Sequence, residues 1–173
     1  MNNPSAAPRG DRASVTVGLA VAPEEAFRIF TQEIDLWWRR GRRFRNAGTE
    51  RGIIAIEAGV GGRLFESFAT AAGETVVEVG RVQVWEPPQR LVFEWRNADF
   101  APHEHTQVEV TFAASAGGTR VTVVHSGWST LRGDHPVRHG QDVPAFIRMM
   151  GLWWGDLMTS LRMHASGQGP GGA

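Results

Sequence analysis

Asp142–Ser166, DVPAFIRMMGLWWGDLMTSLRMHAS, places Val143, Ile147, Met150, Trp154, Leu157 and Leu161 at steps of 4, 3, 4, 3 and 4, the spacing of one helical face. Phe146, Trp153 and Met158 widen that face, and Asp142 stands where an N-cap carboxylate would meet the first free backbone N–H groups. A helix this rich in Trp and Met needs a large concave apolar partner. Nearly everything upstream alternates with period two, so the predicted partner is a curved sheet gripping the helix.

Immediately upstream, TRVTVVHSGW (119–128) sets Val121, Val123 and His125 on one face, TQVEVTF (106–112) sets Val108, Val110 and Phe112, and RLVFEWR (90–96) sets Leu91, Phe93 and Trp95. Further back, ETVVEVGRVQVW (74–85) reads as a longer strand with Gly80 at a bulge. RLFESFAT (63–70) and TERGIIAIE (49–57) read as two more, and SVTVGLAV (14–21) as the first. Between the first two strands, Pro23 with Glu24 and Glu25 opens a helical stretch, one bent helix or two short ones, ending near Trp37–Trp38. The predicted order is strand, helical pair, six strands, long helix. Successive antiparallel strands then bring 71–74, 97–105, 128–142 and the Arg39–Arg45 connection to one end of the sheet, the expected cavity mouth. Residues 13–166 form one domain in this reading, with 1–12 and 167–173 as disordered polar ends.

A formal net charge of zero gives no electrostatic footprint for nucleic acid. The chain contains no Cys, Tyr or Lys. Disulfides, thiolate metal sites, Cys nucleophiles, Schiff-base lysines and tyrosine acids are thereby excluded. No apolar run approaches the roughly 18 residues that span a bilayer, so no membrane insertion is expected. The opening MNNPSAAPRGDRAS lacks the apolar centre of a secretory signal, which makes a cytoplasmic protein the expectation.

From Val21 to Leu161 the fragments AP-EEAF before WW, GGRLFE, GRVQVWEPPQRLVFEW, QVEVTF, GGTRVTVVHSGW and GLWWGDLMTSL occur in an order that resembles the START-like, or SRPBCC, superfamily. Within it the chain is similar to the homologues of the heat-shock-protein-90 ATPase activator. The resemblance implies an α+β helix-grip (Bet v 1-like) fold: six to seven antiparallel strands curved around the C-terminal helix, with a cavity between them. Lipid-transfer proteins, polyketide cyclases and hormone receptors share that fold, so it does not fix a function. The eukaryotic activator works through an additional chaperone-binding domain for which 173 residues leave no room, so a chaperone partner is not expected.

The candidate site is an internal apolar pocket walled by Trp37, Trp38, Phe65, Phe93, Trp95, Phe112, Met150 and Trp154, residues that otherwise simply fill the core. His125, inward-facing and near the mouth, is the best candidate for an acid or base, against the ordinary alternative of a buried neutral imidazole. Arg39, Arg40, Arg42, Arg43 and Arg45 could receive a carboxylate or phosphate, or form a solvated charged loop. Glu94 should point away from the cavity, and Glu66 faces it only if its strand is shifted by a bulge. His103, His105, Asp134, His135 and His139 lie in two mouth loops, but their spacing does not define a metal site, and no metal or cofactor is expected. Trp128 and the outer-facing Trp85 and Val92 could mark a dimer surface or merely pack under a loop, and a homodimer is as open as a monomer. The leading expectation is binding of a small, mostly hydrophobic and possibly anionic molecule with no assigned reaction. The alternatives are a cyclase- or aromatase-like enzyme using His125 and a chaperone-activator-like interaction module.

Overall fold

The computed structural model describes residues 11–48, 51–97 and 99–167. Among them seven strands form one antiparallel sheet in the order β1-β7-β6-β5-β4-β3-β2. The strands are β1 (Arg12–Leu19), β2 (Gly52–Ile56), β3 (Arg63–Thr70), β4 (Gly73–Glu86), β5 (Arg90–Trp95), β6 (Thr106–Ser115) and β7 (Gly118–Ser126). Two short helices, α1 (Pro23–Gln32) and α2 (Ile34–Trp37), follow β1, and the long helix α3 (Val143–Ala165) ends the described chain. The helical pair is thus two helices, broken at Glu33. Strand β1 begins at Arg12, and the buried Asp11 carboxylate accepts hydrogen bonds from the backbone N–H and the hydroxyl of Ser129. Order therefore reaches two residues ahead of the expected boundary; residues 1–10 and 168–173 lie outside the described residues.

The sheet bends through irregularities in β4. Opposite β3, Leu64 pairs with Gly80 and Phe65 with Glu78, so Val79 is the extra residue of a bulge. Gly80 is required there because a Cβ would sit 1.6 Å from the carbonyl oxygen of Glu94. Val79 is buried. A second register shift follows between Val82 and Val84 against β5.

Helix α3 fills the concave face. Asp142 caps it, Oδ1 accepting from the Ala145 N–H at 2.8 Å, and its buried stripe is Phe146, Met150, Trp154, Leu157, Met158 and Leu161. Val143 and Ile147, expected on the stripe, are only partly buried, so the inward phase starts at Phe146. Each fully buried side chain of this size contributes roughly 2 kcal/mol relative to exposure.

A buried polar chain fixes the helix to the sheet. The Trp154 indole N–H donates to His125 Nδ1 at 3.1 Å, which leaves the ring proton on Nε2. Nε2 donates to Thr106 Oγ1 at 2.7 Å, and that hydroxyl donates to the Trp95 carbonyl at 3.2 Å. His125 and Trp154 are fully buried. Burial disfavours the imidazolium and pushes the His125 pKa from 6.5 down to about 3.

The connection after α2 is held by Arg45. Its buried guanidinium donates to Asp35 Oδ1 at 2.6 Å and to the carbonyls of Asp35, Trp38 and Arg39. Asp35 Oδ1 also accepts the Ile54 N–H at 2.9 Å, so one ion pair joins α2, the connection and β2.

Of the two roles left open for Trp128, Val92 and Trp85, the structure shows packing. Trp128 is buried against His125 and Phe146, Val92 is buried, and Trp85 pairs with Leu91 on the concave side and meets Phe27 edge-on at 5.1 Å. Their alternation carried burial and nothing about association.

Two outcomes follow from the buried polar groups. A base whose folded pKa is depressed stabilises the fold fully above its unfolded pKa and loses that stability as pH falls toward the folded value. Between pH 6.5 and about 5, wild-type protein should therefore lose up to about 1.4 kcal/mol per pH unit through His125. Denaturant titrations should show a flatter profile for His125→Gln in that window; parallel profiles would contradict this. Arg45→Ala should cost about 3 kcal/mol by the same assay, because it removes the buried partner of the Asp35 carboxylate and the donor to three carbonyls, leaving Asp35 only Arg40 and the Ile54 N–H, whereas Arg42→Ala should change stability by less than about 0.5 kcal/mol.

Candidate functional site

Between the sheet, the α2–β2 connection and α3 lies a cavity of about 560 Å³, partly open to solvent. That volume suits a small organic molecule. Its opening is at the sheet end where β2 starts and β5 and β7 finish, among described residues of the connections that follow α2, β5 and β7. The turn between β3 and β4 shares that end but lines none of the cavity.

The walls are aromatic. Trp38 is stacked on Trp95 at 5.8 Å and 19°, Trp153 meets both edge-on, and Phe44 is stacked over Trp153 at 5.8 Å and 26°. Trp128, Phe146, Met149 and Met150 continue the surface, with Ile54, Val79 and Val137 between them. Trp153 is fixed by its indole N–H, which donates to the Arg43 carbonyl at 2.8 Å. The buried indole N–H of Trp128 finds no acceptor among the described residues.

One ionisable side chain on the wall is deeply buried. Glu66, 2 % exposed, faces inward by alternation from Leu64. Its Oε2 accepts the backbone N–H of Asn46 at 2.8 Å and that residue's side-chain amide at 2.5 Å; Oε1 has only a long contact of 3.5 Å with the Ala47 N–H. No cationic side chain pairs with it among the described residues. The rim carries Asn97, Asp99, His139, Arg42 and Arg43.

The connections around the mouth are tied together. His135 Nδ1 accepts the Val137 N–H, leaving Nε2 to donate to Glu104 Oε2 at 2.9 Å, while Phe100 meets the ring edge-on. Arg138 donates to the carbonyls of Trp128 and Leu131, both at 2.8 Å. His103 and His105 line a separate, more polar depression of about 490 Å³. Among the described residues no three His, Asp or Glu side chains gather as a metal site.

Of the residues expected to form the pocket, the cavity wall includes Trp38, Trp95 and Met150. Trp37, Phe93, Phe112 and Trp154 are buried in the closed core. Trp37 donates its N–H to the carbonyls of Ile29 and Phe30, and Phe112 packs against Phe27 and Phe30. Phe65 is on the opposite face of the sheet, under the Arg63 guanidinium at 4.7 Å, because Leu64 and Glu66 take the inward positions. His125 is sealed in its polar chain and does not line the cavity, so a direct acid or base role is not supported. The arginine cluster divides: Arg45 is the buried clamp, Arg40 bonds Asp35 and the Gly52 carbonyl, and Arg39 and Arg43 share Asp156. Arg42 and Arg43 alone of the five reach the rim. Phe44, Trp128, Phe146, Met149 and Trp153 also line the cavity without having been expected there, and three of them lie on the face or flank of α3.

No helix among the described residues is long and apolar enough to cross a membrane. Several solved structures share the architecture. A protein of Nitrosomonas europaea is 15 % identical, with 94 % of this chain and 98 % of that one covered and a TM-score of 0.61. The solution structure of the Aha1 dimer from Colwellia psychrerythraea is 16 % identical, covering 91 % and 97 %, with a TM-score of 0.57. A putative protein of the dynemicin biosynthetic locus is 19 % identical over 92 % of this chain and 49 % of its own, with a TM-score of 0.60. No curated protein matches. Identities this low establish the fold alone. The sequence model described as activator of Hsp90 ATPase homolog 1-like protein matches residues 20–148, from the end of β1 into α3, and the chain belongs to that family.

Proposed function

We propose that this protein binds a small, largely apolar and planar molecule in the cavity between the sheet and α3. The observation that carries the reading is a partly enclosed space of about 560 Å³ whose wall is predominantly apolar and includes the indoles of Trp38, Trp95, Trp128 and Trp153. Flat rings stack on such walls with little loss of side-chain entropy, since the indoles already pack on one another and Trp153 is hydrogen-bonded. An anionic substituent would find its cations only at the rim, where Arg42 is exposed and Arg43 is already paired with Asp156. The reading assigns no reaction: His125 is withdrawn from the cavity, and turnover through it has no structural support. The expected cytoplasmic location belongs to the same proposal. A chaperone-activating role draws no support from a site that faces inward.

Thermal unfolding in the presence of planar aromatic compounds tests the proposal. A true ligand at about 100 times its Kd should stabilise the protein by about 2.7 kcal/mol. Trp153→Ala, which removes one wall while leaving the core stripe of α3 intact, should weaken that ligand by at least about tenfold. A ligand whose effect is unchanged in Trp153→Ala binds elsewhere, and that result would overturn the assignment.

A further inference from the structure

Resting on the cavity as a ligand site, we infer that its occupant carries a positively charged nitrogen directed at Glu66. A carboxylate taken out of water is costly unless it is paired or well hydrogen-bonded. Glu66 is 2 % exposed and has no cationic partner among the described residues. Its close donors, the backbone and side-chain N–H groups of Asn46, both serve Oε2. A carboxylate offers about four acceptor positions, and Oε1 is left with one long contact of 3.5 Å. The acceptor capacity of this carboxyl group is thus only partly used, on a wall to which Trp38, Trp95, Trp128 and Trp153 contribute their indoles.

Those rings favour the same sign of charge. An indole face is the negative pole of the ring quadrupole, and Trp is the strongest aromatic partner for a cation. Trp38, Trp95 and Trp153 form one contiguous cluster on the wall that also carries Glu66. A buried carboxylate and clustered indoles both stabilise an organic cation and both disfavour an anion. The basic groups do not reverse this, because Arg42 and Arg43 are exposed at the rim, where solvent screens them, and Asp99 stands on the same rim. The ligand class is therefore an aromatic or alkyl-aromatic ammonium, pyridinium or quinolinium cation.

The test uses three probes of nearly the same shape: N-methylquinolinium, 1-methylnaphthalene and 1-naphthoate. Binding to the full chain is followed by quenching of tryptophan fluorescence. The cation should bind at least about tenfold tighter than the neutral probe, and the anion weakest. In Glu66→Gln, which keeps an oxygen to accept from Asn46, the preference for the cation should fall to about threefold or less while 1-methylnaphthalene binds as before. Equal or tighter binding of the neutral or anionic probe by the wild type would overturn the inference and leave the cavity intact as an apolar site. So would a cation preference that survives in Glu66→Gln. Failure of all three probes would instead defeat the underlying cavity reading. The wild-type ranking decides the matter even if the variant does not fold.

Discussion

The curved sheet depends on one helix. An antiparallel sheet bent by bulges has a concave apolar face that must be covered, and α3 is the only long helix among the described residues available to cover it. The hydrophobic stripe supplies most of the free energy, but stripes slide. The hydrogen bonds from Trp154 through His125 and Thr106 to the Trp95 carbonyl permit one register, because any shift would strand buried donors and acceptors. An imidazole is suited to this role because it accepts on one nitrogen and donates on the other while remaining neutral.

The cavity is a consequence of that fixed register. Around His125 the helix and sheet are in full contact; farther toward the mouth, connections rather than strands close the space. Those connections are themselves over-determined: Arg45 locks one to α2 and β2, the His135–Glu104 bond joins two others, and Asp11 holds Ser129. Aromatic walls on rigid supports give a site whose shape is largely set before any ligand arrives. Glu66 is the one deeply buried ionisable group on that wall, and its burial without a cationic partner among the described residues gives the cavity a polarity that its shape alone would not.

The sequence made the architecture legible because burial on one face of a strand or helix leaves a regular period. Six strands after the helical pair, the Gly80 bulge, the Asp142 cap and the end at which the mouth lies could all be read from that pattern. The site was less legible. Phe65 and Glu66 are neighbours on β3, and hydrophobicity favoured the phenyl ring for the inward position; β3 places the carboxylate there instead, with its charge met by Asn46 from a connection twenty residues away. The five arginines look alike in sequence, yet one is a core clamp and two reach the rim, a division set by where Asp35 and Asp156 stand in space. His125 is buried on the same face as Val121 and Val123, as their alternation implies, but no local pattern could reveal that Trp154 and Thr106 would occupy both of its nitrogens. Periodicity reports which face is buried; it does not report whether the buried face meets a side chain or an empty space.

The most direct test is native mass spectrometry of the protein purified from its own host, compared with the mass of the denatured chain. The account predicts a stoichiometric small-molecule adduct that is present under gentle conditions and released on denaturation, small enough for a space of about 560 Å³. A bare chain mass, together with a crystal structure of that same preparation in which Trp38, Trp153 and Met150 close the space, would contradict it and make the cavity wall part of the core.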